Sequence, residues 1–560
     1  MITKSTTTIT STTARRPRLV VSRRELFLAL PPAVLAFAWL VLLFADFGSI
    51  VSVLYANADT VSAPVIGELF PHAPPGAMTT LGYLPWYTAL WFELATRWVP
   101  FHRQLWEVAP WLASLVGIAL VSWSTAKVAG RWAASIVAVV LVCAAPRVLT
   151  VQFSFDLHGG TVVCACLLDA FLVLLVSRAG RIGPLAVHAA LAVGLAAVIA
   201  SSLASDQLLY VAGLAPFLAA ALAQLVVSPG RSSTRVAVTA AAVGALSVIG
   251  SRLVIAAMRD RNIYPADDKV TFASWGEMWT HVGQLLRGLA QLVQADFAGG
   301  PIGPRPLLAL ACAAVLAIGL VLVARVGWSE GRRLIEAEPA DEPVRRAHVT
   351  FWVAGAAFTA VAFVLSSYGS RALQASAGRY FVPIVYAMVV VGAVAAARSA
   401  FSTRVIVTLA FCIVLAGSTV ALAAHDLTNN PGYYPRQDFA SFLETFAQGE
   451  GLTYGYADYW DAAPLTWQTH EHVQVYPVVP CPAPHGLCTN RLHVISSWYT
   501  PRPGTRSFLI TDPRYGPAAP GLRLGGTAEV VSYGEYRIYV YDYDIAANLG
   551  DWRRYGVDTS

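Results

Sequence analysis

Three kinds of chemically capable side chain stand where apolar segments of this 560-residue chain break into polar loops. The first is a carboxylate. Asp59 lies in YANADTVSAPVIGELF, a few residues beyond the first apolar segment, with Glu68 nine residues later and Asp46 closing the segment itself. A carboxylate so placed can take the proton of a hydroxyl as general base, with Glu68 as a second acid assisting an acceptor or a metal. The plain alternatives are a hydrated loop residue or a helix N-cap for Asp59, and a simple interfacial residue for Asp46. The second kind is arginine, whose planar fork gives phosphate two hydrogen bonds. Arg252 sits inside the apolar run VIGSRLVIAAM and Arg379 opens another in GRYFVP, beside Tyr380. An unpaired charge within a span costs roughly 2.5 to 3.5 kcal/mol on insertion scales, so Arg252 calls for a function or for snorkelling to the interface. The plain alternative for Arg379 is an interfacial anchor. The third kind is a polar island. Asp156 and His158 in SFDLHGG, and Asp206 with Gln207, can bind hydroxyls, orient a base or contribute to a divalent metal site. No third ligand follows at fixed spacing, so a metal cannot be derived. Asp206 can equally cap the helix that follows it.

These residues need a scaffold, and composition says which. The chain is 56% hydrophobic and 13% charged, with a mean hydropathy of +0.56. That charge content is about half that of a soluble domain, which defines a polytopic membrane protein. The net charge of +6 does not imply nucleic acid, because the basic residues cluster in short loops between apolar spans, where they act as topology signals. A window of about 19 residues finds eleven spans, near 26–45, 107–126, 131–149, 160–177, 184–203, 207–227, 235–257, 305–325, 348–367, 380–398 and 404–424. The Ser/Thr-rich residues 1–25, with five arginines before the first span, read as a disordered cytoplasmic N-terminus and a retained first helix.

The positive-inside rule tests that count. With the N-terminus inside, the even-numbered spans are followed by Lys127–Arg131, Arg178–Arg181, Arg231–Arg235, the GRRLIEAEPADEPVRRAH loop and Arg398–Arg404, all short or basic. The loops 46–106 and 258–304 then face outward, as does everything after residue 424. The aromatic run from Tyr83 to Trp98 is too short and too polar to cross, and would reverse the parity if it did. It is expected to lie in the interface, as is the amphipathic stretch from Trp275 to Val293.

Residues 425–560 read as a small extracytoplasmic α/β domain. Helix DFASFLETFAQ precedes strand LTYGYA, helix DYWDAAPLTWQTH and strand VQVYPVV, with later strands SFLITD, AEVVSYG and YRIYVYDYD. Without a Gly-rich phosphate loop it is not read as nucleotide-binding. Cys481 and Cys488 bracket PAPHGL there, and outside the cytoplasm a local disulfide is the natural reading. A metal site is the weaker one, since only His485 lies between them. Tyr456, Tyr459, Trp460 and Trp467 could stack on sugar rings, although aromatics on such a unit more commonly pack a core.

The acidic first outer loop holding Asp59, the run YLPWYTALW, GRYFVP opening a late span and YGYADYWDAAPLT in the outer domain together resemble the GT-C superfamily. These are integral-membrane glycosyltransferases that take a sugar from a polyprenyl-phosphate donor. The likeness spans the whole architecture and rests on few residues. It implies an inverting enzyme of about eleven transmembrane helices in the cytoplasmic membrane, acting on its outer face. Asp59 would be the base, and Arg252, Arg379, Tyr380, Asp156, His158 and Asp206 would bind substrate. The implied partners are the polyprenyl-phosphate sugar, a cell-envelope glycan or glycolipid acceptor, and the bilayer. The composition suggests a high-GC bacterium; by analogy mannose is the favoured sugar and arabinose the next. Two departures stand out. Many members carry adjacent acidic residues in the first loop, whereas Ala58 and Thr60 flank Asp59, and no WWD-type oligosaccharyltransferase signature is present. A transporter or lipid flippase, or a noncatalytic envelope-assembly protein, is the competing reading; the former usually shows paired halves and interrupted helices, and no internal repeat is visible.

Overall fold

The computed structural model describes residues 23–81, 98–99, 102–178, 185–204, 206–265, 270–297, 302–336, 342–371, 377–424, 437–481, 486–512 and 529–551. Most of the aromatic run from Tyr83 falls outside them, as do residues 425–436.

Each of the eleven apolar segments is wholly or mostly helical in its described residues. Nine helices among the described residues are long and apolar enough to cross a membrane, and the Arg103–Val142 one is 40 residues long. At about 1.5 Å per residue that is near 60 Å, twice a hydrocarbon core. Gly130 divides it. With φ 84° and ψ 178°, Gly130 takes a left-handed backbone conformation that side chains disfavour, and it turns the chain between Lys127 and Arg131. The next segment is shorter than expected: helix stops at Val142, and Pro146–Gln152 forms a separate short helix. The fifth expected span, Leu185–Leu203, is helical too.

Beyond the first helix, Arg23–Ala45, the chain does not run into a loose loop. Helices Phe47–Leu54 and Ala58–Leu69 follow, bent by 79° about a short break. The amphipathic Trp275–Leu292 helix is started by a Ser274/Glu277 capping box. Its Trp275 and Trp279 stand out while His281 is buried and meets the Val364 carbonyl. Exposed Trp on such a helix suits a membrane interface.

Among the described residues nine strands complete the fold: β1 (Thr79–Leu81), β2 (Ile263–Pro265), β3 (Tyr454–Asp458), β4 (Gln474–Pro480), β5 (Leu487–Thr489), β6 (Val494–Ile495), β7 (Ser507–Thr511), β8 (Glu529–Tyr533) and β9 (Tyr536–Tyr541). Six form a sheet in the order β5-β4-β3-β7-β9-β8, parallel across β4-β3-β7 and antiparallel elsewhere. Helices Gln437–Glu450 and Tyr459–Gln468 flank it, and one core cluster lies between Phe439, Leu443, Leu465, Phe508, Ile538 and their neighbours. Cys481 and Cys488 are joined as a disulfide, with Cα atoms 5.7 Å apart.

The other three strands form a seam, β2-β1-β6. Thr79 pairs with Ile263 and with Ile495, and its hydroxyl donates to the Val494 carbonyl at 2.8 Å. Both long loops and the C-terminal region therefore share one side of the helical bundle. These short pairings could not be foreseen from pattern, because two- and three-residue strands carry no period.

Candidate active site

Asp59 occupies the first turn of the Ala58–Leu69 helix, but it is not the cap. Asn57 caps it: its side-chain oxygen accepts from the Asp59 N–H at 2.9 Å. The Asp59 carboxylate is thereby left to other partners. The Arg379 Nη1 donates to Oδ2 at 2.7 Å, and the Tyr459 hydroxyl donates to Oδ1 at 2.9 Å. The Asp59 and Arg379 side chains are 13% and 16% exposed. Arg379 and Tyr459, 320 and 400 residues further along the chain, meet on this one carboxylate.

Local structure explains why each arrives. Arg379 lies in the short 3-10 turn Ala377–Phe381 that opens the Val382–Ala397 helix. Tyr459 follows directly on β3, where Asp458 caps the Tyr459–Gln468 helix by accepting from the Trp460 N–H. This is the carboxyl end of a parallel strand, the usual place for sites in α/β sheets. His493 directly precedes β6, so the three-stranded seam carries it in; its ring is 6.2 Å from that of Tyr459. The Asp59 and Tyr459 helices pack side by side, with Asp59 meeting Tyr459 at one end and Glu68 hydrogen-bonding Glu471 at the other. They therefore run in the same direction, with both positive helix ends at the Asp59 site.

Electrostatics follow from this geometry. Burial alone would push the Asp59 carboxyl up, but the Arg379 guanidinium and the Tyr459 hydrogen bond hold it below the usual range. Burial pushes His493 the other way, down to about 4 against the pull of Asp59, so its ring is neutral at neutral pH. His493 also has φ 52° and His158 φ 70°. Left-handed backbone at residues other than glycine is uncommon and gathers at functional sites.

His158 belongs to a second polar group against the first. Its Nδ1 lies 2.9 Å from Asp206 Oδ2, and Thr161 donates to the same oxygen. Its ring packs 4.8 Å from Tyr380, whose own ring lies 5.4 Å from the Arg379 guanidinium. Asp206 also accepts from the Leu208 N–H at 3.0 Å, so it caps its turn as well as holding His158. Asp156 lies in the same turn, with its side chain outside the described residues. Among the described residues no group of three or more His, Cys, Asp or Glu side chains is placed to hold a metal.

Two expected members lie elsewhere. Arg252 is exposed on the Arg231–Arg259 helix. That helix buries Ser247 and Ser251, and one residue further is about 100° around the axis, which turns Arg252 outward. Snorkelling accounts for it. Glu68 is nine residues from Asp59 on one helix, about 13.5 Å along and half a turn around, so it cannot be a second carboxylate beside it. It pairs with Glu471 instead. Burial, outweighing the nearby Arg103, raises the Glu471 carboxyl well above the usual range, and the Glu68 carboxyl adds to it.

The fold can be compared with solved structures. It resembles the crystal structure of ArnT from Cupriavidus metallidurans bound to undecaprenyl phosphate, with a TM-score of 0.51 over 94% of this chain and 99% of that one, at 13% identity. Weaker likenesses are to the apo oligosaccharyltransferase of Archaeoglobus fulgidus, with TM-score 0.46 and 13% identity over 80% of this chain and 64% of that one, and to apo ArnT, with TM-score 0.41 and 15% identity over 92% and 99%. No family model matches the chain, and no curated protein matches it. The shared feature is the architecture, a polytopic helical membrane protein with a β-containing C-terminal region. At 13% identity the likeness defines the fold; the chemistry has to be argued from the site.

Proposed function

We propose that this chain is a glycosyltransferase that moves a sugar from a polyprenyl-phosphate donor to a cell-envelope glycan or glycolipid. One observation carries the reading: the Asp59 carboxylate, able to act as a base, and the Arg379 guanidinium, able to bind a phosphate, lie 2.7 Å apart in a fold that resembles ArnT bound to undecaprenyl phosphate. In an inverting displacement the acceptor oxygen bonds to the anomeric carbon and its proton passes to Asp59. The bond from that carbon to the phosphate oxygen breaks, and the phosphate leaves with its electron pair. Arg379 takes the phosphate charge, and the positive ends of the two helices add to it.

The pair also explains how a carboxylate of depressed basicity serves as base. A donor phosphate competes with Asp59 for Arg379. As the guanidinium turns to the phosphate, the buried Asp59 loses its main stabilising charge and becomes more basic. Tyr380, beside Arg379 and braced by the His158–Asp206 pair, is the candidate sugar contact. Mannose is the first sugar to test and arabinose the second. The basic-loop parity places the N-terminus in the cytoplasm and the C-terminal domain outside the cytoplasmic membrane.

The test is transfer by the purified, lipid-reconstituted protein from radiolabelled polyprenyl-phosphate mannose and polyprenyl-phosphate arabinose to envelope glycolipid. The wild type is expected to transfer one of them, and Asp59→Asn to bind that donor without transferring. Unchanged transfer by Asp59→Asn removes the base assignment. Glycan and glycolipid profiling of a deletion strain then names sugar and acceptor.

A further inference from the structure

A cleft of about 380 Å³ opens away from the Asp59–Arg379 pair, between the Phe47–Leu54 helix, the start of the His102–Val142 helix and the far end of the Tyr459–Gln468 helix. Its size is within the range of about 300–1,000 Å³ of small-ligand sites. The wall is preorganised. The Arg103 guanidinium lies 3.9 Å above the Trp467 ring, donates to the Trp467 carbonyl at 2.6 Å, and meets Glu471 and His470 Nδ1 at 3.3 and 2.7 Å. Tyr55 stacks on the other part of Trp467, with ring centroids 6.0 Å apart, and its hydroxyl is fixed by the Trp106 carbonyl. Around these rings stand Gln104, Gln437 and Gln468, with Glu107.

We infer that this cleft binds a neutral saccharide, as the distal subsite of the acceptor. Two arguments set the ligand class. Amide side chains both donate and accept, which matches sugar hydroxyls, while Trp467 and Tyr55, 5% and 3% exposed, brace the wall behind them. Arg103, the guanidinium of the cleft, already serves Glu471, His470 and a carbonyl, and Glu107 repels anions, so a phosphate is disfavoured. The position sets the role. Tyr459 and Trp467 are eight residues apart on one helix, about 12 Å, so a sugar in the cleft stands two or three units from the hydroxyl presented to Asp59. That role rests on the glycosyl-transfer reading; the binding itself does not.

The experiment is isothermal titration of the full-length protein with α-linked mannotriose and arabinotriose, and with the matching monosaccharides, without donor. One trisaccharide is expected to bind at least tenfold more tightly than its monosaccharide. The exposed double variant Gln104→Ala/Gln437→Ala is expected to weaken it at least tenfold, and Asp59→Asn to leave it unchanged. Binding of neither trisaccharide below about 10 mM, or a double variant within twofold of wild type, overturns the inference. Binding that survives when Asp59→Asn has disproved the transfer reading would leave a saccharide site without that chemistry. Transfer without binding here would remove the cleft and keep the enzyme.

Discussion

Two acidic residues of this chain each face a basic partner from a distant helix, and they sit in opposite settings. Asp59 and Arg379 meet at the boundary of the bundle, 13% and 16% exposed, with Tyr459 on the second carboxylate oxygen. Asp169 and His348 meet inside it. Their side chains are fully buried, 2.8 Å apart, with Thr125 3.2 Å from the other ring nitrogen. Asp169 lies nine residues into its helix, about 14 Å from the boundary. The difference teaches what each pair can do. On the proposed reading the boundary pair trades its cation for a substrate phosphate, because it keeps some contact with solvent. The interior pair ties the His102–Val142, Gly160–Arg178 and Pro343–Leu365 helices together, and nothing outside reaches it.

The sharpest way to break the contrast is to disarm each carboxylate's partner or charge and read two quantities. Asp59→Asn keeps the size of the side chain and removes the base, so sugar transfer is expected to fall at least about 1,000-fold, near 4 kcal/mol of barrier, with only a small drop in melting temperature from the lost ion pair. His348→Ala should do the converse. Breaking a buried pair by removing one partner costs about 3 kcal/mol or more, so the detergent-solubilised protein should melt several degrees lower, while transfer per folded molecule stays within threefold. A fall in transfer as large as that of Asp59→Asn would mean that the interior pair takes part in catalysis.

The same contrast decides what the sequence disclosed. Asp59 could be picked out because it stands in a polar loop next to an apolar span, and Arg379 because a charge opens an otherwise apolar helix. Asp169 and His348 were passed over for the opposite reason: each is a single polar residue within or at the edge of an apolar run, and their pairing is between helices. The helical spans were legible because hydropathy reports burial in lipid directly. His493 was missed because its place depends on a two-residue strand, and Tyr459 was grouped with Trp460 and Trp467, although one reaches the site and another lines a cleft about 12 Å away. Arg252 misled because an isolated charge in a span is equally conspicuous whether it faces the bundle or the lipid; only the helix rotation separates the two.

Arg379→Ala tests whether the boundary pair is tuned as described. It removes the phosphate cation, and transfer is expected to drop about 100-fold, near 2.7 kcal/mol. The pH profile carries more information than the loss. Asp59 acts when deprotonated, so activity falls as pH drops through its pKa, and in the wild type Arg379 holds that pKa down. Without the guanidinium, burial is left to act, and the acid limb of kcat/KM should move to higher pH. The sign for stability is the same: the depressed carboxyl stabilises the fold above its unfolded pKa, and that contribution is lost as pH falls through the folded one. An acid limb that stays in place would show that Asp59 is not the group being titrated.

Tyr459→Phe is the smallest and most discriminating change, because it removes one hydroxyl and leaves ring, helix and strand in place. The lost hydrogen bond is to a charged acceptor, worth about 1.5 kcal/mol, so a drop of about tenfold in transfer is expected. Tyr459 and Arg379 hold different oxygens of one carboxylate. If Tyr459 serves to aim the carboxylate, the effect should vanish once Asp59 is replaced by Asn, and the double variant should match Asp59→Asn alone. If Tyr459 instead binds the sugar itself, its replacement should raise KM for the donor equally in both backgrounds. Measuring donor KM in the four-variant cycle separates these outcomes, and with them whether β3 supplies the site with an aiming group or with a substrate contact.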